Sequence, residues 1–174
     1  MPITPVHLGI LAPLNHFFPK KVSNLAFILV TLWLDASAIG YYALGLDMGE
    51  FHGPETHSLG AAMALSGIIA LIGCGYYFLD SLIAKDLARG EKAFSWLYGA
   101  YLGGLTHILL DAMVHAEMQP FHPVEGNPFY WNGMFWLSLI LVPPLVWLIP
   151  QYVSCAVRHV QAHLEVRKLR NLEP

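Results

Sequence analysis

Four long apolar stretches dominate this chain, and short polar loops separate them. They cover residues 23–46, 58–84, 94–115 and 133–157. Each matches the ~20 residues that a helix needs to cross the hydrocarbon core of a bilayer. The chain is 56% hydrophobic and only 12% charged, which is too apolar for an ordinary soluble domain. The sequence therefore predicts an all-α membrane protein with four transmembrane helices, organised as a single polytopic membrane domain over residues 1–174.

The basic residues predict the orientation of these helices. All nine Lys and Arg lie in four clusters, at residues 20–21, 85–92, 158 and 167–170. The loops at 47–57 and 116–132 contain acidic residues and no Lys or Arg. Because basic loops stay on the cytoplasmic side, we expect both termini in the cytoplasm and these two loops outside. Topology accounts for the basic residues, so no nucleic-acid partner is predicted.

The two ends of the chain differ from the four spans. Residues 4–18 predict a short apolar helix that Pro13 kinks, either re-entrant or a fifth spanning helix. Residues 158–174 predict a cytoplasmic amphipathic helix on the membrane surface. Pro143 and Pro144 lie inside the fourth stretch, where we expect them to break the helix.

Ionisable side chains interrupt the apolar pattern of the third span. His107, Asp111 and His115 are spaced by four residues, which places them on one slanting stripe rising ~6 Å per step. An ionisable group at membrane depth costs several kcal/mol unless it is paired, and it is a functional-site candidate by default. Packing alone rarely explains two such residues on one apolar face, although His115 also suits the membrane interface.

Sequence distance predicts which other side chains reach this stripe. Asp35 lies roughly 18 Å from the cytoplasmic face, at 1.5 Å per residue, and His107 lies about as deep. His7 reaches the same level if the N-terminal helix dips inward. The remaining candidates lie farther out, toward the start of the second span. The predicted column contains six side chains: His7, Asp35, His57, His107, Asp111 and His115.

Imidazole and carboxylate groups in one column indicate a divalent metal site. The excess of histidine favours zinc, with manganese, iron and nickel as alternatives. Such an ion activates water for hydrolysis, and the chain has no serine or cysteine nucleophile motif. Glu55 and Glu117 in the outer loops are the candidate catalytic proton carriers. Interpretations without a metal remain open, in which His7 is placed in the headgroup region, Asp35 is hydrogen-bonded between helices, and His57 is solvated beside its loop.

Burial near the outer leaflet favours a lipid or lipid-linked ester or phosphoester as substrate, because a soluble substrate gains nothing from a site at that depth. A metal or proton transporter, or an ion-binding regulator, is the main alternative and would use the same column as a relay. A third hypothesis is haem bound between pairs of histidines within the bundle. The sequence predicts neither the substrate's identity nor the oligomeric state.

Several motifs together resemble a known family. They are MPITPVHLG at the N-terminus, WLDAS around Asp35, HGPETHSLGA around His57, GGLTHILLDAMVH in the third span and AEMQPFHP in the following loop. In this order they resemble the LexA-binding, inner-membrane-associated hydrolases, the YdjM-like membrane-bound metal-dependent hydrolases. The resemblance implies an inner-membrane location and metal-dependent hydrolysis without naming a substrate. Many members carry a Pro-Asp-x-Asp stretch where this chain has WLDAS, which leaves one carboxylate and weakens the case for two ions.

Overall fold

The computed structural model of this protein describes most of the chain, and its regular secondary structure in the described part is helical. It covers residues 7–44, 53–84, 87–132 and 139–150, with isolated positions at 136, 153–154, 157–158 and 161. Side chains at 37–39, 41–43, 55, 84 and 87–90 lie outside the description. The helices are α1 (Leu11–Phe17, directly after a 3-10 turn at Leu8–Ile10), α2 (Asn24–Ala43), α3 (Pro54–His57), α4 (Leu59–Ala84), α5 (Leu87–Ala112) and α6 (Leu139–Pro150). These described ranges contain no strand.

Helix α4 has the length and composition of a membrane span. Its apolar segment Leu59–Ile83 meets both requirements, while Asn24–Ala36 of α2 and all of α6 are shorter apolar helices. Large apolar side chains on α4 face outward, including Leu71 at 75% and Ile83 at 82% exposure. A soluble protein rarely exposes such a surface, whereas lipid covers it without cost. The described residues thus contain one clear span, and the other three remain predictions.

Helix α5 lies against α2 through two glycines in a G-x-x-x-G pattern. A side chain at Gly99 would collide with the backbone of Ser23, and a Cβ at Gly103 would lie 2.9 Å from the carbonyl oxygen of Phe27. Small residues with this spacing let two helix backbones approach closely. Gly103 lies four residues after Gly99, and its partner Phe27 lies four residues after Ser23. Helices α2 and α5 therefore run parallel in a fixed register.

Helix α4 runs antiparallel to α5 on its other side. The Trp96 indole Nε1–H donates to the Ile69 carbonyl at 2.9 Å, near the start of α5. Farther along α5, Gly104 lies against the side chain of Ser66. This direction brings the beginning of α4 beside the end of α5. The core between the helices consists of small and medium apolar side chains: Ala26, Val30, Leu34, Ala62, Ala70, Ala100, Ile108, Ala112 and Met118.

Helices α1 and α6 complete the described bundle. Leu11 of α1, Phe27 of α2 and Leu148 of α6 share a second buried cluster. Contrary to expectation, Pro143 and Pro144 do not break α6, which is helical throughout Leu139–Pro150. The packing offers a reason, because Leu148 and Leu141 are buried on either side of the prolines and hold the helix against its neighbours.

Replacing Gly103 with alanine should destabilise the protein, because the new Cβ must push α2 away from α5. We expect a loss of about 1–3 kcal/mol, the usual range for overpacking. The matched control is Gly75→Ala, since a Cβ at Gly75 meets nothing within 4 Å. Thermal unfolding of the detergent-purified variants measures the difference. Equal stability of the two variants would contradict the close approach.

Candidate metal site

The buried end of α5 carries the central pair of the site. His107 is 0% and Asp111 1% exposed, and His107 Nε2 lies 3.1 Å from Asp111 Oδ2. The spacing of four residues puts both side chains on one helix face, as the sequence predicts. An ionisable pair at this burial demands further partners, because a desolvated carboxylate is costly.

Two other segments deliver ligand-type side chains to this pair. The parallel register of α2 brings Asp35 Oδ1 to 3.4 Å from His107 Nε2, with 14% of the Asp35 side chain exposed. Helix α3 places the fully buried His57 ring with its centroid 5.7 Å from that of His107. One ligand atom from each of four residues lies within 4.8 Å of the others: Asp35, His57, His107 and Asp111.

His7 joins the group from the N-terminal segment. Its Nδ1 lies 3.0 Å from His107 Nδ1 within hydrogen-bond geometry, and its Nε2 lies 3.1 Å from Asp111 Oδ1. The ring is 3% exposed and meets His107 edge-on at a centroid distance of 4.5 Å. His7 thus contacts two of the four residues from the side.

Several of these close contacts are not hydrogen bonds. Within the described residues, His7 Nε2, His107 Nε2 and Asp111 Oδ2 are buried without an aligned hydrogen-bond partner. They nevertheless lie 3.1 Å from an oppositely polar atom. Buried polar atoms rarely remain unsatisfied in folded proteins. Nitrogen and oxygen atoms that converge without bonding to one another fit a cation between them, and no ion is included in the structure.

Thr56 orients the imidazole of His57. The threonine hydroxyl lies 2.8 Å from His57 Nδ1 and donates to the Gly53 carbonyl at 3.4 Å. With its proton directed to Gly53, the hydroxyl accepts from His57 Nδ1–H. The lone pair of the ring is then on Nε2. A second hydrogen bond of this kind fixes the tautomer of many metal-binding histidines.

The remaining candidates do not belong to the four-residue group. His115 Nδ1 contacts Glu117 Oε1 at 3.1 Å, and the side chains are 12% and 58% exposed. His115 is therefore outside the group of four and forms a pair that leads toward the surface. The side chain of Glu55 lies outside the described part of the structure.

The loop at residues 113–132 covers the end of α5, and its anchors were not predicted from the sequence. Asn127 Nδ2 donates to the carbonyls of Ala112 and His115, both at 2.7 Å. The Leu59 amide donates to the Pro120 carbonyl at 2.9 Å, which ties the loop to α4. The asparagine before a proline in this irregular loop was the available signal, because such residues often bond to nearby backbone.

The fold and this group define a helical protein with an apolar exterior and a buried cluster of carboxylate and imidazole groups. The model of the YdjM inner membrane protein family matches residues 6–167. The chain therefore belongs to the YdjM inner membrane protein family, which confirms the resemblance drawn from its motifs. Membership supports association with the lipid bilayer and an inner-membrane location. No curated protein and no solved structure matches the chain.

Replacing Asn127 with alanine should loosen the loop, because two carbonyls lose their donor. A loss of about 1–3 kcal/mol in the local opening free energy should accelerate amide exchange in residues 113–132 by roughly tenfold or more. Glu125→Ala in the same exposed loop is the control and should exchange like the wild type. Hydrogen–deuterium exchange with mass spectrometry measures both, and identical exchange in the two variants would rule out the anchoring role.

Proposed function

We propose that this protein is a metal-dependent hydrolase of the inner membrane, acting on a lipid or lipid-linked ester or phosphoester near the outer leaflet. The observation that carries the proposal is the meeting of two carboxylates and two imidazoles from three helices within 4.8 Å. Zinc fits this donor set, and manganese is the alternative. A divalent ion held there supplies Lewis acidity and activates water.

Charge supports the presence of a divalent cation. Asp35 and Asp111 bring two negative charges into a site whose other members are imidazoles. Both carboxylates lie 3.1–3.4 Å from imidazole nitrogens. Burying two carboxylates together costs several kcal/mol unless their charge is compensated, and a divalent ion would compensate both.

Within this proposal, His7 orients ligands and the group of four binds the ion. His107 Nδ1–H donating to His7 Nδ1 would direct the lone pair of His107 Nε2 toward the carboxylates. His7 Nε2–H then faces Asp111 Oδ1 and leaves Oδ2 for the ion. Residues that hydrogen-bond to metal-binding side chains in this way hold those side chains in place and raise their basicity.

The surroundings favour a substrate that arrives through lipid. Asp35 is the most exposed member of the four, and Leu32, about one helical turn before it, is an exposed apolar side chain. An acyl chain would contact Leu32 while the ester reaches Asp35. The pair of His115 and the more exposed Glu117 offers a proton path from the site to the outer loop.

A transporter requires polar groups that continue to the other face. Below the site, the buried polar side chains among the described residues are Thr31 and Ser66, which do not titrate. Asp80 lies on the half-buried surface of α4, far along the helix from His57. A proton or metal relay through this part of the bundle therefore has little support, and hydrolysis remains the better explanation of the site.

Detergent-purified protein should contain a near-stoichiometric amount of zinc or manganese. His107→Ala and Asp111→Ala should each lose the metal, because each removes a buried ligand. His16→Ala is the matched control, since His16 is exposed on α1 and should leave the metal content unchanged. Elemental analysis by plasma mass spectrometry measures the content, and a wild type without metal would end the proposal.

Metal-loaded protein in mixed micelles should hydrolyse a phosphatidyl or acyl ester, and Asp35→Asn should reduce the rate by at least about 100-fold. Mutating a residue that only hydrogen-bonds to a metal ligand typically lowers metal affinity or activity 10–100-fold, so removing a ligand itself should cost no less. Glu125→Gln, in an exposed loop position, should keep full activity. A water-soluble ester of the same chemistry should react poorly. Ion flux through proteoliposomes without ester turnover would instead identify a transporter.

A further inference from the structure

A second polar site lies near the start of α5, away from the metal ligands. It is a pocket of about 550 Å³ whose polar side chains are Lys20, Lys21, Glu91, Ser95 and Tyr98. We call it the basic pocket. Nine residues separate Tyr98 from His107, which corresponds to roughly 14 Å along the helix. The basic pocket is therefore separate from the site of the proposed function.

Two lysine side chains give the basic pocket its charge. Lys20 and Lys21 are both exposed, and neither forms an ion pair with any described residue. Glu91 is the single carboxylate in the lining, so the pocket carries a net positive charge. An anion with oxygen acceptors would compensate the excess charge. The Tyr98 hydroxyl adds a neutral hydrogen-bond donor to the same walls, while the Ser95 hydroxyl donates to the Lys92 carbonyl at 3.0 Å.

The walls of the basic pocket are fixed to one another. The Ser23 amide donates to the Ser95 carbonyl at 2.8 Å, which joins the segment after the lysines to α5. The Lys21 amide donates to the Phe18 carbonyl at 3.1 Å. Lys20 has a left-handed backbone with φ of 63°, a conformation that a lysine adopts only when its surroundings hold it. These contacts fix the backbone that carries both lysines before any ligand binds.

Apolar side chains surround the pocket and select among anions. Phe94 lines it with 65% exposure, and Phe17 and Phe18 lie exposed just before Pro19. A free inorganic anion has no use for such a rim. A phospholipid would place its phosphate at the lysines and its acyl chains on the phenylalanines. Basic pockets between helices at a membrane surface bind anionic lipid headgroups on this principle.

We infer that the basic pocket binds the headgroup of an anionic phospholipid in the leaflet opposite the proposed metal site. The lysines contact the phosphate, Tyr98 donates to a headgroup oxygen, and Glu91 limits the affinity by repulsion. This assignment is independent of the proposed hydrolase activity, because none of its residues belongs to the metal group.

Native mass spectrometry of the full chain in detergent, titrated with phosphatidylglycerol and with phosphatidylcholine, tests the inference. The wild type should bind phosphatidylglycerol preferentially. Lys20→Ala/Lys21→Ala should weaken this binding by roughly 30-fold, since each lysine near an anionic lipid contributes roughly fivefold. Lys92→Ala/Arg158→Ala removes the same charge from exposed positions outside the pocket and should bind like the wild type.

Glu91→Gln provides an independent variant of opposite sign. It keeps both lysines, and removing the repulsive carboxylate should tighten phosphatidylglycerol binding several-fold. Equal binding of the two lipids, equal loss in the two double variants, or no gain in Glu91→Gln would each overturn the assignment. Displacement of the lipid by equimolar inorganic phosphate would also overturn it, because the pocket would then bind phosphate without using the apolar rim.

Discussion

The burial of two carboxylates beside three imidazoles is the constraint on which the rest of the structure depends. Asp111 is 1% exposed, and the neighbouring residues Ile108 and Ala112 of α5 belong to the apolar core. A carboxylate without a counterion at this position would raise the free energy of the folded state by several kcal/mol. The histidines offer lone pairs rather than positive charge when they are neutral. A cation would satisfy both kinds of ligand, and its binding would then be coupled to the stability of the bundle.

Glycine contacts decide which side chains meet in the group of four. The close approach of Gly99 and Gly103 to α2 fixes a parallel register, and this register carries Asp35 to His107. A slip by one residue would rotate Asp35 by about 100° around its helix and remove it from the group. The antiparallel packing of α4 then returns the chain to the same end of α5, where α3 presents His57. Small residues far from the ligands therefore determine the chemistry of the site.

The sequence predicts the helical class and the core of the site, because both follow from periodicity and depth. Spacing by four puts His107 and Asp111 on one face, and distance from the basic residues puts Asp35 at their level. Depth does not give direction around the bundle axis. It therefore could not distinguish His7, which contacts ligands from the side, from His57, whose ring joins the group of four. Helix continuity through Pro143 and Pro144 depends on buried neighbours, which a propensity argument does not include.

X-ray absorption at the zinc edge of the zinc-loaded protein tests the central claim most directly. The account predicts two imidazoles, from His57 and His107, with all first-shell nitrogen and oxygen atoms at about 2.0–2.2 Å and no sulfur. The variant His57→Ala should show one imidazole fewer. A spectrum without imidazole scattering, or with sulfur at about 2.3 Å, would contradict the account.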